Sequence, residues 1–390
     1  MRTQLLKLDE LYKLEGLSTH MIPVNSPVIT KESKELVARA LEEGWISSAG
    51  PYIETFEKEF AQYLGVKHAI SVNTGTAALH IALLAAGIKE GDEVIVPAFT
   101  MAASWMAIMY VGAKPIFVDV EEDIYTIDPE LVEAAITGKT RAIMPVHIYG
   151  HPADMDPILA LAKKHNLKVI EDAAEAHGAT YKGRLTGTIG NVNAFSFYAN
   201  KIITTGEGGM VTTNSDEMAS VARLMKDLSH SKAKRFIHDD LGYNYRLTSM
   251  QAALGSGQLS HISDFLATKI HMAKEYEKGL SGIRGITLPV TRDWATHVYW
   301  MYAILIDEQK FGMNKDEFRA QLLSKGVDTR DFFYAPSTQP ALTGRGLGGG
   351  SFPVTERIAR DGCYLPSGLA ITDDQIGVVC ETIRAVCPNL

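Results

Sequence analysis

The stretch "SFYANKIITTGEGGM", residues 196–210, joins a strand-like run to a glycine-rich turn, and a single lysine, Lys201, lies between them. A lysine near a buried surface loses part of its solvation, which lowers its pKa and favours the free amine. A free amine can form a Schiff base with an aldehyde. The alternative is a lysine that extends its ammonium into water, which is the usual outcome for a lysine taken at random. The segments around this stretch decide between the two.

Short apolar runs alternate with helical patterns through the middle of the chain, and this rhythm indicates a largely parallel sheet covered by helices. The predicted strands are His68–Val72, Glu93–Pro97, Lys114–Val120, Arg141–Val146, Leu167–Glu171, Ala194–Phe197 and Met210–Asn214. The predicted helices between them are Thr76–Ala86, Ala102–Val111, Pro129–Ala135 and Pro157–His165. Ligands of such sheets bind beyond the carboxyl ends of the strands, so the residues that follow each strand are the candidates for a site.

Two more strand ends carry polar groups. Thr74, Gly75 and Thr76 follow the first strand and open a helix, where backbone N–H groups and the positive helix end favour an anion. A plain helix N-cap explains the same residues equally well. Asp172 follows a buried strand in "LKVIEDAAEAHG", either as a helix cap or as a buried anion that needs a cationic partner.

The three strand ends together supply an anion cup, a buried acid and an amine. Pyridoxal phosphate has a phosphate, a ring nitrogen and an aldehyde, and these match the three parts one for one. The chain has no G-x-G-x-x-G after its first strand and no G-x-x-x-x-G-K-[ST], so dinucleotide and nucleoside-triphosphate loops are unsupported. Its histidines do not have the spacing of a metal site.

Composition narrows the class of protein further. The chain has 390 residues, a length that suits two domains, and 46% of them are hydrophobic. Its net charge of −8 argues against a nucleic-acid partner. Three cysteines in no zinc or disulfide pattern make a reducing cytoplasm the expected location. No apolar run reaches the roughly 20 residues that cross a bilayer, and the first 20 residues lack the apolar core of a signal peptide.

Four segments together resemble the DegT/StrS family of sugar aminotransferases, which depend on pyridoxal phosphate. The segments are "NTGTAALH", "VIEDAAEAHGA", "SFYANKIITTGEGGM" and "GYNYRLTSMQAALG". The resemblance implies the aspartate-aminotransferase-like fold type I, an αβα sandwich with a mostly parallel sheet and a smaller C-terminal α/β domain. It covers residues 21–390. We therefore expect an N-terminal extension at 1–20, a large cofactor-binding domain at 21–265 and a small domain at 266–390.

The resemblance also implies a role for each matching residue. Lys201 would bind the cofactor aldehyde and act as general base and acid, and Asp172 would pair with the ring nitrogen. His147 and Glu175 would lie near the cofactor and the sugar. The phosphate would be held by Thr74, Gly75, Thr76 and Ser196, together with Asn244 from the neighbouring subunit of a homodimer.

Three positions depart from the family pattern, and one of them is Ser337, which stands where a histidine usually follows the "FFY" segment. Met101 stands where an aromatic residue often stacks on the cofactor ring, and a thioether packs on a ring less well. Glu175 stands where many members have glutamine, so its carboxylate would need a proton or a compensating cation beside the cofactor.

The reaction that the resemblance implies moves an amino group from L-glutamate to a nucleotide-linked 4-keto-6-deoxysugar. The segments "MIPVNSPVIT", "GWISSAGPYIETFEKEF" and "DTRDFFYAP" resemble the subgroup that converts GDP-4-keto-6-deoxy-D-mannose to GDP-perosamine for O-antigen or polysaccharide biosynthesis. Amination of a UDP- or dTDP-ketosugar at C3 or C4 stays open. A dehydratase of the same fold would have histidine in place of Lys201, and a DNA-binding regulator would have a basic arm or a helix-turn-helix, which the sequence lacks.

Overall fold

The protein is described by a computed structural model that covers residues 21–231, 233–234 and 236–387. The predicted extension at residues 1–20 lies outside the described residues. Two sheets dominate the architecture, and a three-stranded antiparallel sheet accompanies them.

The larger sheet has seven strands in the order β1-β9-β8-β5-β4-β2-β3. All pairs are parallel except those of β9, which runs antiparallel to both β1 and β8. The expected mostly parallel sheet is therefore confirmed, with one reversed strand. The strands are β1 (His68–Val72), β2 (Glu93–Pro97), β3 (Lys114–Val118), β4 (Thr140–Ile143), β5 (Lys168–Asp172), β8 (Val192–Ser196) and β9 (Gly209–Thr213).

Helices connect the strands and cover the sheet, as expected for an α/β fold. Those up to the end of the large sheet are α1 (Lys31–Glu42), α2 (Pro51–Leu64), α3 (Gly75–Ala85), α4 (Ala102–Tyr110), α5 (Pro129–Ala135), α6 (Met155–His165) and α7 (Asp216–Met225). Helix α3 is apolar nearly all round, because it packs on β8 and β9 and is itself covered by α4 and α7. Its start is thereby held against the end of β8.

The C-terminal part contains a four-stranded antiparallel sheet in the order β10-β12-β14-β13, whose strands are β10 (Ile286–Thr287), β12 (Tyr302–Ile306), β13 (Arg330–Asp331) and β14 (Gly362–Leu365). The small third sheet joins β11 (Ala295–Thr296) to β6 (Thr180–Tyr181) and β7 (Arg184–Leu185). The remaining helices are α8 (Ser249–Leu259), α9 (Ile262–Leu280), α10 (Glu308–Phe311), α11 (Lys315–Ser324), α12 (Pro340–Thr343), α13 (Pro353–Asp361) and α14 (Asp373–Val386).

All seven predicted strands are present, with ends that differ by no more than three residues. The sequence also predicts one long helical stretch from about Ser249 to Lys278, and this prediction is wrong, because α8 ends at Leu259 and α9 begins at Ile262. The Ser260 N–H still bonds to the Ser256 carbonyl in the helical pattern, but the His261 N–H closes a tighter turn on the Gln258 carbonyl at 3.1 Å, and the first helix ends there. The predicted boundary at 265/266 falls inside α9 and stays a prediction.

An aromatic cluster supports the segment that contains Lys201. Phe195 and Phe197 project from one face of the β8 segment, and their rings contact that of Phe60 at centroid distances of 5.1 and 5.4 Å. Successive side chains of a strand point to opposite faces, so Ser196 between them faces away from this cluster. The period-two pattern of "FSF" thus directs the hydroxyl to the cavity that Lys201 also lines.

Candidate active site

A cavity of about 450 Å³ lies at the carboxyl ends of the parallel strands. The loops after β1, β2 and β5, together with the end of β8, supply one wall, which contains the predicted cup, Asp172 and Lys201. The C-terminal part of the chain supplies Trp300, Phe333 and Tyr364 on the other side. The predicted parts of the site therefore meet in one space, as the position of ligands in α/β sheets requires.

A larger and more open cleft of about 690 Å³ lies elsewhere, and it is acidic. Its lining includes Glu121, Asp123, Asp128 and Asp154, with Arg292 as the cation. Carboxylates repel a phosphate, and an ammonium there would sit in water. We therefore place the chemistry in the smaller cavity, which has the amine and the helix start.

The anion cup is formed where α3 begins. Thr74 is the N-cap of this helix, because its Oγ1 accepts a hydrogen bond from the backbone N–H of Ala77 at 3.0 Å. Gly75 lies against β8, and a Cβ at this position would come within 2.7 Å of the Cβ of Ser196. Helix capping and the proposed anion site are therefore compatible, because the cap leaves the helix start facing the cavity with the Ser196 hydroxyl beside it.

The glycines of the opening stretch fit around this cup. Gly209, the first residue of β9, packs against Thr74 so closely that a Cβ would overlap the Thr74 carbonyl oxygen. Gly206 has φ +79°, a conformation that favours glycine. The segment after Lys201 therefore needs glycine both to turn and to approach the cup.

Asp172 is buried at the floor of the cavity. One carboxyl oxygen accepts a hydrogen bond from the Ser104 hydroxyl at 2.7 Å and the other accepts from the backbone N–H of Ala174 at 3.1 Å. Burial raises its pKa, against these hydrogen bonds and the charge of Lys201. No lysine or arginine of the described chain forms a salt bridge with Asp172. A buried carboxylate in this state has room for a cation such as a protonated ring nitrogen.

Lys201 reaches the same cavity with only 9% of its side chain exposed. Its Nζ lies 3.6 Å from the centroid of the Trp300 indole and 3.6 Å from Oε1 of Glu175. Burial lowers the pKa of Lys201, although the charges of Glu175 and Asp172 oppose this effect. The amine is therefore desolvated, as a Schiff-base lysine requires.

Glu175 is held by a strained loop. Its Oε2 accepts a hydrogen bond from the backbone N–H of Tyr149 at 2.9 Å, and Tyr149 has a positive φ of 53°. Burial raises the pKa of Glu175 to about 7, against the opposing charge of Lys201. The sequence predicts that this carboxylate needs a proton or a nearby cation. The raised pKa favours the protonated form, and Lys201 is the nearby cation.

The resemblance implies that His147 lies near the cofactor and the sugar, but the structure places its ring outside the lining of the cavity. His147 is fully buried and does not line the cavity. Its Nε2 lies 2.9 Å from a carboxyl oxygen of Glu171, and its Nδ1 accepts from the backbone N–H of Ala153 at 3.0 Å. With both ring nitrogens occupied, the ring is a structural link beneath the strand end, where its own backbone N–H donates to the Asp172 carbonyl.

Met101 and Asn244 lie at the edge of the site. Met101 lines the cavity with 51% of its surface exposed, so it can lie against a bound ring and be covered by one. Asn244 is exposed and does not line the cavity of its own chain. Its predicted contact with the cofactor phosphate of a neighbouring subunit stays a prediction.

Sequence reasoning missed the side chains that close the cavity. Tyr198 and Asn200 lie within the lysine segment itself, and their position between Ser196 and Lys201 could have indicated them. Trp300 sits in the apolar run "ATHVYWMYAIL", where no local pattern separates it from core residues. Its role is visible only because the folded chain places its indole over Lys201.

The described residues contain no helix long and apolar enough to cross a bilayer. The same part of the chain has no group of three or more His, Cys, Asp or Glu side chains arranged to hold a metal ion.

The chain belongs to the DegT/DnrJ/EryC1/StrS aminotransferase family, which matches residues 27–384. A GDP-perosamine synthase of Escherichia coli O157:H7 is 42% identical over 363 residues, which are 93% of this chain and 98% of that protein. The dTDP-3-amino-3,4,6-trideoxy-alpha-D-glucose transaminase of Streptomyces venezuelae is 41% identical over 355 residues, which are 90% of this chain and 91% of that one. Among solved structures, S. venezuelae DesV in complex with a ketimine intermediate has a TM-score of 0.86 at 38% identity, and the match covers 98% of each chain.

Proposed function

We propose that this aminotransferase uses pyridoxal 5′-phosphate to move an amino group from L-glutamate to a nucleotide-linked 4-keto-6-deoxysugar. The observation that carries the proposal is the meeting of the desolvated Lys201 amine, the buried Asp172 carboxylate and the start of α3 in one cavity. These groups suit an aldehyde, a ring nitrogen and a phosphate. Pyridoxal phosphate presents those three features together.

Different residues of the cavity would bind different groups of the cofactor. The start of α3 with Gly75, Thr76 and Ser196 would hold the phosphate, and Asp172 would bind the protonated ring nitrogen. Lys201 would bond to the aldehyde carbon. When bound, pyridoxal phosphate supplies an electron sink that lowers the barrier to moving protons beside the amino nitrogen.

The chain itself moves the proton. Lys201 Nζ would take a proton from the α-carbon of the amino acid and deliver it to the carbon that was the aldehyde of the cofactor, because its lowered pKa favours the free amine. Glu175, 3.6 Å away and with a pKa near neutrality, can hold or release a proton beside that amine. Trp300 and Phe333 form an aromatic wall that limits the access of water.

We propose GDP-4-keto-6-deoxy-D-mannose as the acceptor, with GDP-perosamine for O-antigen or polysaccharide biosynthesis as the product. The similarity to a GDP-perosamine synthase over 93% of the chain supports this choice. The similarity to a dTDP-sugar transaminase, at 41% identity, supports a dTDP-ketosugar as the second candidate.

A substrate panel tests the proposal. Purified holoenzyme is incubated with L-glutamate and, separately, GDP-, UDP- and dTDP-linked 3- and 4-ketosugars, and each product is identified by mass spectrometry. We expect the gain of an amino group on the GDP-linked 4-ketosugar at the highest kcat/KM. Preference for a dTDP-linked sugar would replace the first candidate by the second, and no amination of any sugar would refute both.

We also propose a cytoplasmic homodimer in which Asn244 of each subunit reaches the cofactor of the other. The exposure of Asn244 outside its own cavity supports this arrangement. All three cysteines are free and buried, which is compatible with a reducing compartment.

A further inference from the structure

A second buried lysine, Lys269, lies on α9 behind the cavity wall. It is 2% exposed, and no salt bridge of the described chain includes it. Burial lowers its pKa to about 7. Its Nζ donates hydrogen bonds to the backbone carbonyls of Trp300, at 3.1 Å, and of Ser367, and it lies 3.6 Å from the sulfur of Met272. Burying an amine without a carboxylate partner costs free energy. The hydrogen bonds to the two backbone carbonyls indicate what this amine does in the fold.

Trp300 is held at both ends. Lys269 binds its backbone carbonyl, and its indole Nε1 donates to the carbonyl of Asn200 at 2.8 Å. Asn200 directly precedes Lys201, whose Nζ lies under the same indole at 3.6 Å from the ring centroid. A continuous series of contacts therefore runs from Lys269 through Trp300 to the reactive amine.

The space between the two lysines is small. A pocket of only about 10 Å³ lies between them, and its lining includes Asn25, Asn200, Lys201, Lys269 and Trp300. Such a volume holds at most one water molecule. The two lysine side chains are therefore separated by little more than one water molecule, so a shift of the Trp300 backbone at Lys269 is felt at Lys201.

We propose that Lys269 is a positioning residue for Lys201, acting by holding the Trp300 carbonyl so that the indole stays packed over the Lys201 amine. The proposal rests on the proposed function only in taking Lys201 as the reactive group. Loss of the Lys269 ammonium leaves two buried carbonyls without a donor, and the Trp300 backbone must move to recover partners. The indole then loosens, and water gains access to the amine.

The test uses the protein without cofactor and thus does not depend on turnover. An amine-acylating reagent labels surface lysines, and peptide mass spectrometry follows the labelling rate of Lys201 relative to the exposed Lys31. We expect Lys269→Met to label Lys201 about tenfold faster, because local opening controls the reactivity of a covered group. Lys269→Gln keeps two N–H donors and should fall between this variant and the unmodified protein.

A double-mutant cycle separates the proposed route from general loosening. Trp300→Phe should raise the labelling rate as well, and Lys269→Met combined with Trp300→Phe should match Trp300→Phe alone within about twofold. Lys315→Met is the matched control, since it also removes a largely buried ammonium, but one that binds Asp331. Lys315→Met should leave the labelling rate of Lys201 relative to Lys31 unchanged.

The holoenzyme supplies a second readout. Lys269→Met should lower kcat about tenfold and change KM less than twofold, since orientation of Lys201 and not substrate contact is affected. Unchanged labelling of Lys201 in a folded Lys269→Met protein, or additive effects in the cycle, would overturn the proposal. If Lys269→Met does not fold, Lys269→Gln is measured in its place: faster labelling of Lys201 than in the unmodified protein supports the proposal, and unchanged labelling overturns it.

Discussion

Replacing Glu175 by glutamine should stabilise the cofactor-free protein at alkaline pH. The ordinary pKa of this carboxyl is 4.5, and burial raises it to about 7 in the folded protein. Glutamine has the same shape, carries no charge and can still accept the hydrogen bond from the Tyr149 N–H. The substitution therefore removes the cost of burying an ionised group while leaving the packing in place.

The pKa shift sets the size and the pH range of the effect. Because the pKa is higher in the folded state, the unmodified protein loses stability as the pH rises from about 4.5 to about 7. At about 1.4 kcal/mol for each pH unit, the loss reaches about 3 kcal/mol above pH 7. The gain from glutamine should accordingly be below about 1 kcal/mol at pH 5 and approach about 3 kcal/mol at pH 8.

Urea unfolding of the two proteins without cofactor, at pH 5, 6, 7 and 8, measures this difference. Glu130→Gln serves as the control, because Glu130 is exposed on α5 and its removal should leave the pH dependence of stability as it is. A Glu175→Gln protein that is less stable than the unmodified one at pH 8 would refute the reasoning. That result would mean that attraction between Glu175 and Lys201, 3.6 Å apart, outweighs the cost of burial.

Three further predictions concern the cofactor. Lys201→Ala should abolish turnover and the visible absorbance that appears when pyridoxal phosphate joins the protein; an active variant with the band intact contradicts the assignment. Gly209→Ala should displace the Thr74 carbonyl and weaken cofactor binding by about tenfold or more, as measured by fluorescence titration. Gly138→Ala is the control, because open space surrounds Gly138 and its replacement should leave the affinity unchanged. Equal affinities of the two variants would show that the start of α3 does not bind the cofactor phosphate. Inactive Lys201→Ala and inactive Asn244→Ala subunits, when mixed and refolded together, should recover about a quarter of the activity. Half of the dimers are then mixed, and each mixed dimer has one intact site out of two. No recovery would mean that Asn244 acts in the site of its own subunit or in no site.

Much of the large sheet follows from local patterns. The run Glu93–Pro97 is buried throughout and "FSF" at 195–197 alternates between a ring cluster and the cavity, as their composition and period predict. The break between α8 and α9 was missed because the residues around Ser260 and His261 continue a helical pattern. Backbone hydrogen bonds at that point, which no periodicity records, end one helix and start the next.

The candidate site likewise contains residues that the sequence predicts and residues whose orientation only the folded structure shows. Thr74, Asp172 and Lys201 were predicted because each follows a predicted strand, and parallel strands present their carboxyl ends at one edge, whereas Ser196 was predicted from the resemblance. His147 also follows a strand, and the resemblance made it a candidate. Its orientation was decided by partners, since Glu171 and the Ala153 N–H turn both ring nitrogens away from proton transfer.

The amino-acid sequence by itself indicated the α/β fold through its periodicity, the family through the resemblance of four segments, and Lys201 as the candidate amine through its position after a strand. Tertiary structure alone decided what surrounds that amine. Trp300 lies 100 residues from Asn200 in the chain, yet its indole bonds to that residue and covers Lys201. The lowered pKa of Lys201 and the raised pKa of Glu175 arise from burial, which only the packing of distant segments produces.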